Sequence, residues 1–355
     1  MKKIQMFVYN DLKTDARVMR TIETLSKKYE LVVYSIGEKK ELDGVENSTF
    51  NKKYGRLNYI MFIFFILRKV LVTKSDYVYG HDYYACLPIH ILMKFKKNNS
   101  YIYDAHELLF EKEGEVLSKR QRFFLKFENK IINKVDKTIS ASKERSLLMK
   151  EYYHLNTLPV TINNVSILPK SNEAKNYFSQ YSNSKSFKIV YAGVVSKSRE
   201  IDKFIQEIID SQLDIQLFII GNGDFKQELM EKYDNPKVIF IDSLPYSQLR
   251  SFIEFCDAGF LNYPMVDLNN TYCASNKVYE YASVGISFLY YFNPTIDQIA
   301  NDNGIGFLVQ NNLPEIVKHI SQHKKEIKNA TNLFISKNNW SIEEAKLMSI
   351  FLGGD

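Results

Sequence analysis

Three cysteines in 355 residues is few, and they share no pattern. Cys86, Cys256 and Cys273 make neither an even framework nor a metal-ligand spacing, which excludes a disulfide-stapled scaffold and fits a reduced, cytoplasmic setting. Long apolar runs are missing as well. Residues 59–67, YIMFIFFIL, are apolar on every face but only nine long, and a spanning helix needs roughly 20 such residues, so no transmembrane segment is expected. The opening Met1-Lys-Lys leads into IQMFVYN, too short and too strand-like for a secretory core, so no signal peptide is expected. No H-E-x-x-H occurs and the acidic cluster expected for Mg²⁺ is lacking, so no metal is expected. Solenoid-period repeats, low-complexity tracts and recognised nucleic-acid motifs are absent too, and nucleic acid is not an expected partner.

What is present reads as globular: 45% hydrophobic and 25% charged residues, in a chain long enough for two domains. The net charge of +6 is uneven, because through Lys170 there are 30 Lys and Arg against 19 Asp and Glu, and beyond it 17 against 22. Two basic-apolar segments lie in the first half. One is the 59–67 run, preceded by Lys52, Lys53 and Arg56 and followed by Arg68, Lys69 and Lys74; the other is Lys119 to Lys137, with Phe123, Phe124, Phe127 and Ile131 at helical spacing. Each alone is a core helix with a wet basic face. Together they point to an anionic membrane surface as a partner, with the protein peripheral on the inner face of the plasma membrane.

The chain alternates strand and helix, the pattern of doubly wound parallel sheets. Residues 3–9 and 31–36 read as the first two strands, joined by a helix from about Asp15 to Lys28 with Asp15 as its cap. Tyr77–Gly80 leads into His81-Asp82, and Tyr101–Tyr103 leads into Asp104-Ala105-His106-Glu107. Both place a histidine beside a carboxylate just past the carboxyl end of a parallel strand, where open sheets bind ligands. His106 ranks first as a catalytic candidate and His81 second, with Asp82 and Glu107 beside them. His90, His154, His319 and His323 have no such setting and read as structural. Residues 136–142 read as a strand entering a helix capped by Ser142, and 160–164 close the first domain. The polar segment 170–186 reads as a linker, giving domains at 1–169 and 187–338 and a C-terminal helix at 339–355, with Ser341 as its cap and Glu344 completing a capping box.

The second domain reads as strands at 187–192, 215–220, 238–242, 258–263, 286–292 and 305–309. Gly193 follows the first, with Lys197 and Arg199 nearby; Gly221 and Gly223 follow the second; Asp242 ends the third, shortly before Tyr246. Glycine at a strand end lets backbone approach a phosphate, and the cations offer counter-charge, though glycines in such places often serve only the turn. Past the fourth strand, NNTYCASNKVYEYASVG (269–285) enters a helix that Ser275 or Asn276 caps. Its N–H groups and positive dipole end point into the ligand crevice, with Lys277 able to meet phosphate and Glu280 able to accept from a sugar diol. A plain αβ connection with a solvated Lys and Glu is the competing reading.

This last segment resembles the donor-site signature of retaining glycosyltransferases of the GT-B fold, in particular glycosyltransferase family 4. Asn276, Lys277, Glu280, Tyr281 and Gly285 stand in the family's Asn-Lys-x-x-Glu-Tyr-x-x-x-Gly spacing. The resemblance implies that Glu280 holds the ribose of a nucleotide sugar and that preceding backbone amides face the donor. It implies that the two glycine loops flank the pyrophosphate and that Tyr246 lies near the base. The DAHE run resembles the family segment whose histidine lies beside the reacting sugar. The Asp15-Ala-Arg17-Val18 run resembles the family's first loop and helix, which places Asp15, Arg17 and Asp104 on the acceptor side; for Arg17 a surface role is equally open. Two positions depart from the family: Tyr272 stands where many members have an acidic residue, and Val194 where they often have arginine.

The implied fold is α/β of GT-B type, two Rossmann-like domains facing across a cleft with a C-terminal helix returning to the first. The implied reaction is metal-independent transfer of a sugar, from a UDP-sugar, with retained configuration and no other cofactor. The basic first half favours a lipid-linked saccharide acceptor, as in bacterial capsule, exopolysaccharide or O-antigen assembly, with a protein or teichoic-acid acceptor left open. The alternatives are a nucleotide-sugar 2-epimerase and a non-catalytic saccharide-binding or partner subunit, the latter kept open by Tyr272 and Val194.

Overall fold

The computed structural model describes residues 1–111, 116–169, 181 and 184–352. Most of the expected linker, 170–180 and 182–183, lies outside the described residues. The chain divides into two compact units: Met1–Asn164 with Ser341–Asp355, and Val165–Trp340.

The first unit is built on seven parallel strands, β1 (Lys3–Asp11), β2 (Glu30–Ile36), β3 (Glu46–Phe50), β4 (Tyr77–His81), β5 (Ser100–Ala105), β6 (Lys137–Ser140) and β7 (Val160–Thr161), in the order β3-β2-β1-β4-β5-β6-β7. Strand order reverses between β1 and β4, which makes their carboxyl ends the switch point where open sheets bind ligands. The edge strand β3, ENSTF, escaped the sequence reading because it carries a single apolar residue, and none of its residues is buried. Helix α1 (Ala16–Leu25) follows β1, with the Asp15 carboxylate accepting from Val18 N–H at 3.0 Å as its cap. The 59–67 run forms the first part of α2 (Asn58–Val72), which buries Phe62, Ile63, Ile66 and Val70. No described helix is long and apolar enough to cross a membrane. After α3 (Cys86–Phe95) comes the second basic segment, α4 (Lys119–Ile131), held at its start by a Ser118–Gln121 capping box and buried through Phe124, Glu128 and Ile131. Ser142 caps α5 (Lys143–Tyr152).

The unit is completed by the helix Trp340–Leu352. Ser341 does not cap it, because the helix already begins at Trp340 and Ser341 lies in its first turn. The acidic side chain that matters there is Glu343, 2% exposed, which accepts from the backbone and side chain of Asn163 at 2.9 and 3.1 Å. Further along, Phe351 meets the edges of Tyr29 and Tyr77, and its carbonyl accepts from Tyr77 Oη.

The second unit carries six parallel strands, β8 (Phe187–Ala192), β9 (Ile215–Ile220), β10 (Val238–Ile241), β11 (Ala258–Leu261), β12 (Ser287–Tyr290) and β13 (Gly306–Leu308), ordered β10-β9-β8-β11-β12-β13. Its switch point lies between β8 and β11. β11 and β12 stop two residues short of the expected ends; after Leu261 the chain leaves the ladder, and Asn262 donates to the Arg199 carbonyl instead. Both units are α/β with all-parallel sheets.

Candidate functional site

In the first unit the β1–β4 switch point gathers a buried polar cluster. Arg17, carried on α1 and 8% exposed, donates from Nη2 to Asp104 Oδ1 at 2.8 Å and from Nη1 to the Ile162 carbonyl at 2.9 Å. Arg17 is therefore no surface residue. Asp104, at the end of β5, also accepts from Tyr79 Oη at 3.1 Å and stands 3.4 Å from His81 Nδ1. His81 stacks on Tyr79 and meets His106 Nε2 through Nδ1 at 3.2 Å. Arg145 fixes the next turn, donating from Nη1 to the His106 carbonyl at 2.7 Å.

The charges in this cluster are set by their neighbours. Burial alone would raise the Asp104 carboxyl, but Arg17 first, then His106 and His81, outweigh it and hold Asp104 well below the usual carboxylate range. His106 is pushed down to about 4, chiefly by burial, so at neutral pH its ring is an uncharged hydrogen-bonding group with 17% of the side chain open. Asp15 is held low because His106, the Val18 N–H, Asn10 and His81 together outweigh its burial. Asp82 behaves in the opposite way: burial, then Glu107, raises its carboxyl well above the ordinary value. Asp82 also has φ 62° and ψ 168°, backbone space that is essentially glycine's, and its carboxylate accepts from Tyr83 N–H at 2.7 Å. Strain of roughly 1–3 kcal/mol at a residue flanking the histidines is a mark of a functional site.

His81, Asp104 and His106 bring three potential ligand atoms within 4.8 Å of one another, alone among the described residues. The donor set does not suit a cation, because one Asp104 oxygen is engaged by a buried guanidinium and the other by the Tyr79 hydroxyl. The cluster suits hydrogen bonding to a polar ligand.

In the second unit the helix Asn276–Ser283 starts beyond β11. Ser275 occupies the cap position, yet its hydroxyl accepts from Tyr263 Oη at 2.9 Å and makes no capping bond. The helix is locked by Tyr281, whose hydroxyl donates toward the carbonyls of Phe260 (3.0 Å) and Val190 (3.2 Å) and accepts from Ala192 N–H at 3.3 Å. Gly259 makes room for that ring; a Cβ there would lie 2.5 Å from it. Immediately before Tyr281, Glu280 is 0% exposed, with Oε2 on Lys277 Nζ at 2.6 Å and Oε1 buried without a partner among the described residues. A buried carboxylate oxygen with an open lone pair is costly and marks a place for a donor from a ligand.

The glycine loops clasp each other. A Cβ on Gly221, which has φ +145°, would lie 1.9 Å from the Gly193 carbonyl oxygen, and one on Gly223 would lie 2.0 Å from that of Val195. Val195 N–H donates to the Asn222 carbonyl at 3.1 Å. The space these two glycines free is thus filled by protein backbone, whereas Gly193 itself has only ordinary contacts, among them Lys277 Cε at 3.9 Å. Arg199 stacks over Tyr263 at 4.3 Å and reaches Asn270 Oδ1 at 3.3 Å. Lys197 pairs with Glu228 on an exposed face, Asp242 pairs with Lys226 while 88% exposed, and Tyr246, 44% exposed, opens the helix Tyr246–Phe255. Gly193, Arg199, Ser275, Asn276, Lys277 and Glu280 therefore collect at the switch point, and Lys197 and Asp242 point their charges to partners of their own.

Sequence reasoning missed the residues that hold these groups. Asn293 caps the helix Pro294–Asn303 and donates to the carbonyls of Tyr263 and Asn270, both at 2.9 Å. The Asn293-Pro294 pair was a readable helix-start signal. For Tyr79 and Arg145, whose partners lie 25 and 39 residues away, nothing local gives the pairing.

Comparison with solved structures places both sheets in the GT-B fold of glycosyltransferases. HepE from Anabaena, crystallised with UDP-glucose, is similar over 100% of both chains with a TM-score of 0.77 and 13% identity. Sucrose-phosphate synthase from Thermosynechococcus elongatus matches over 99% of this chain and 98% of its own, with a TM-score of 0.75 and 12% identity. The lipopolysaccharide outer core galactosyltransferase WaaB matches over 99% of both, with a TM-score of 0.62 and 15% identity. No protein-family model matches the sequence. No functionally curated protein matches it either.

Proposed function

We propose that this protein is a retaining glycosyltransferase that moves a sugar from a nucleotide sugar, a UDP-sugar, to a lipid-linked saccharide acceptor in cell-surface polysaccharide synthesis. The observation that carries the reading is Glu280: a fully buried carboxylate with one oxygen unpartnered among the described residues, beside Lys277, one turn into a helix at the switch point of the second sheet. Ribose hydroxyls donate to that oxygen, and Lys277 turns its charge to the diphosphate. One neighbour of the same fold, HepE, crystallised with UDP-glucose, with UDP and glucose, and with UDP, supports the choice of base.

Departure of the sugar leaves negative charge on the diphosphate. Lys277, Arg199, the Gly193 loop and the helix N-terminus supply fixed positive potential for it, which is how such a site lowers the barrier without a metal. His106, uncharged near pH 7, orients a sugar hydroxyl by hydrogen bonding and does not act as a charged acid. The acceptor's proton passes to the leaving phosphate, consistent with retention.

The test is transfer of radiolabelled sugar from a panel of UDP-sugars into an organic-extractable lipid fraction. Wild-type protein is expected to label the fraction. His106→Ala is expected to lose about tenfold or more in turnover with UDP affinity kept, the loss typical of one positioning hydrogen bond. UDP-sugar hydrolysis or epimerisation without transfer to any acceptor would overturn the reading.

A further inference from the structure

At the carboxyl edge of the first sheet, away from the histidine cluster's own contacts, a recess of about 520 Å³ opens between β1, the start of α2 and the start of α4. Its walls are aromatic. Tyr9 lies 4.9 Å from Tyr84 and 5.3 Å from Tyr59, and Tyr59 lies 5.1 Å from Phe124. Tyr59 is anchored by donating to the Tyr84 carbonyl at 2.8 Å, so the rings are fixed in place. Its rim is cationic: Lys52 sits over Tyr9 at 5.7 Å, Arg120 over Tyr84 at 5.9 Å, and Arg56 completes the set. Among the described residues no carboxylate lines the recess and none lies within ion-pair distance of these three cations.

The recess continues into an apolar stripe. Leu57, Ile60, Phe64 and Leu71 are 57%, 49%, 62% and 41% exposed. Their spacing of three, four and seven puts them on one outward face of α2 and the turn before it, opposite the buried Phe62, Ile63, Ile66 and Val70. From Ile60 to Leu71 the stripe runs for roughly 17 Å at 1.5 Å per residue. A helix that is apolar on both faces has something apolar to meet on the second. Ile60 belongs to both features, since it also lines the recess.

From this continuity we infer that the recess is the headgroup site of the acceptor: a glycosyl phosphate or diphosphate whose sugar ring stacks on Tyr9 and Tyr84, whose phosphate meets Lys52, Arg56 and Arg120, and whose apolar tail lies along the α2 stripe. This rests on the transferase reading and deepens it by naming the acceptor's chemistry. Three cations gathered on one rim, with no carboxylate partner among the described residues, select an anion. Fixed ring faces select a flat, partly apolar ring. A Leu/Ile/Phe stripe selects a hydrocarbon chain, which distinguishes the occupant from a single-stranded nucleic acid, for which aromatics and cations alone suffice.

The probe is a glucosyl diphosphate carrying a ten-carbon alkyl chain, titrated below its micelle concentration and followed calorimetrically. Controls are decyl glucoside, which is neutral, glucose 1-phosphate, which has no tail, and vesicles of phosphatidylglycerol. The alkyl diphosphate is expected to bind at least about tenfold more tightly than either small control. Arg56→Gln with Arg120→Gln is expected to abolish the preference for the anion, and Phe64→Ser the preference for the tail; all three side chains are at the surface, so the fold is expected to persist. Equal binding of the neutral glucoside overturns the proposal. So does vesicle binding lost in these variants with no saturable binding of the soluble probe, which makes the face a general membrane-docking surface. UDP titrated into the same wild-type sample separates the two readings. UDP binding without probe binding refutes only the headgroup site, and loss of both refutes the transferase.

Discussion

Two buried titratable residues of the first unit pull its stability in opposite directions. His106, lowered by burial from its ordinary 6.5 to about 4, is neutral in the folded chain where the unfolded chain is protonated. The unfolded state therefore binds more protons between those values, and stability is lost as pH falls through that window. Glu128, on α4, accepts from Tyr103 Oη at 2.7 Å and from Tyr153 Oη, and burial raises it from its ordinary 4.5 to about 7. Here the folded state binds more protons, so its contribution is fully present below 4.5 and is lost as pH rises toward 7. Each effect is on the order of 3 kcal/mol. Between pH 4.5 and 6.5 they oppose each other. Measured against wild type, urea midpoints across that range should slope more steeply downward with rising pH in His106→Gln and more upward in Glu128→Gln, with the raised Asp82 carboxyl adding the same downward contribution to all three proteins. Parallel profiles for the two variants would contradict the assignment. Neither group was legible as a pair from sequence: His106 was marked by its place after a strand, but Glu128 sits in a basic helix and reads as an ordinary charge until Tyr103 and Tyr153 are seen on either side of it.

At the scale of elements, the helix Asn276–Ser283 is positioned by one tyrosine lying over one glycine. Gly259→Ala would drive a methyl group to within 2.5 Å of the Tyr281 ring, an over-packing expected to cost roughly 1–3 kcal/mol and to shift the helix. Since Lys277 and Glu280 ride on that helix, UDP affinity is expected to fall along with stability. Calorimetry alongside thermal melting checks this, and a destabilised variant with unaltered UDP affinity would show that the helix position is not set by Tyr281. The strands and the Asn276–Gly285 segment were readable because apolar runs and a dense local spacing carry them. The glycine loops were only half readable: their glycines were visible, but Gly221 and Gly223 fit against the backbone of Gly193 and Val195, some 28 residues away in the chain, and no local pattern encodes that clasp. β3 was invisible for a similar reason, since hydrogen bonding to β2 and not burial makes it a strand.

At the scale of the molecule, the first unit is finished by residues from the far end of the chain. Phe351, 1% exposed, and Glu343, 2% exposed, contribute to its interior, and burial of one large apolar side chain stabilises by roughly 1.5–3 kcal/mol. Removing residues 341–355 is expected to lower hydrogen-exchange protection in β1, β4 and β7 while leaving β8, β9 and β11 protected; equal loss in both units would contradict the division. The α/β architecture and its two parallel sheets were legible from alternation alone, and the return of the last helix from the resemblance. A nucleotide site at Glu280 is checked by calorimetric titration with UDP, GDP and ADP, with and without chelator. Saturable binding of UDP above the other two is expected, unaffected by chelator and weakened about tenfold or more in Glu280→Ala. Binding of no nucleotide, or UDP affinity unchanged by Glu280→Ala, would contradict it.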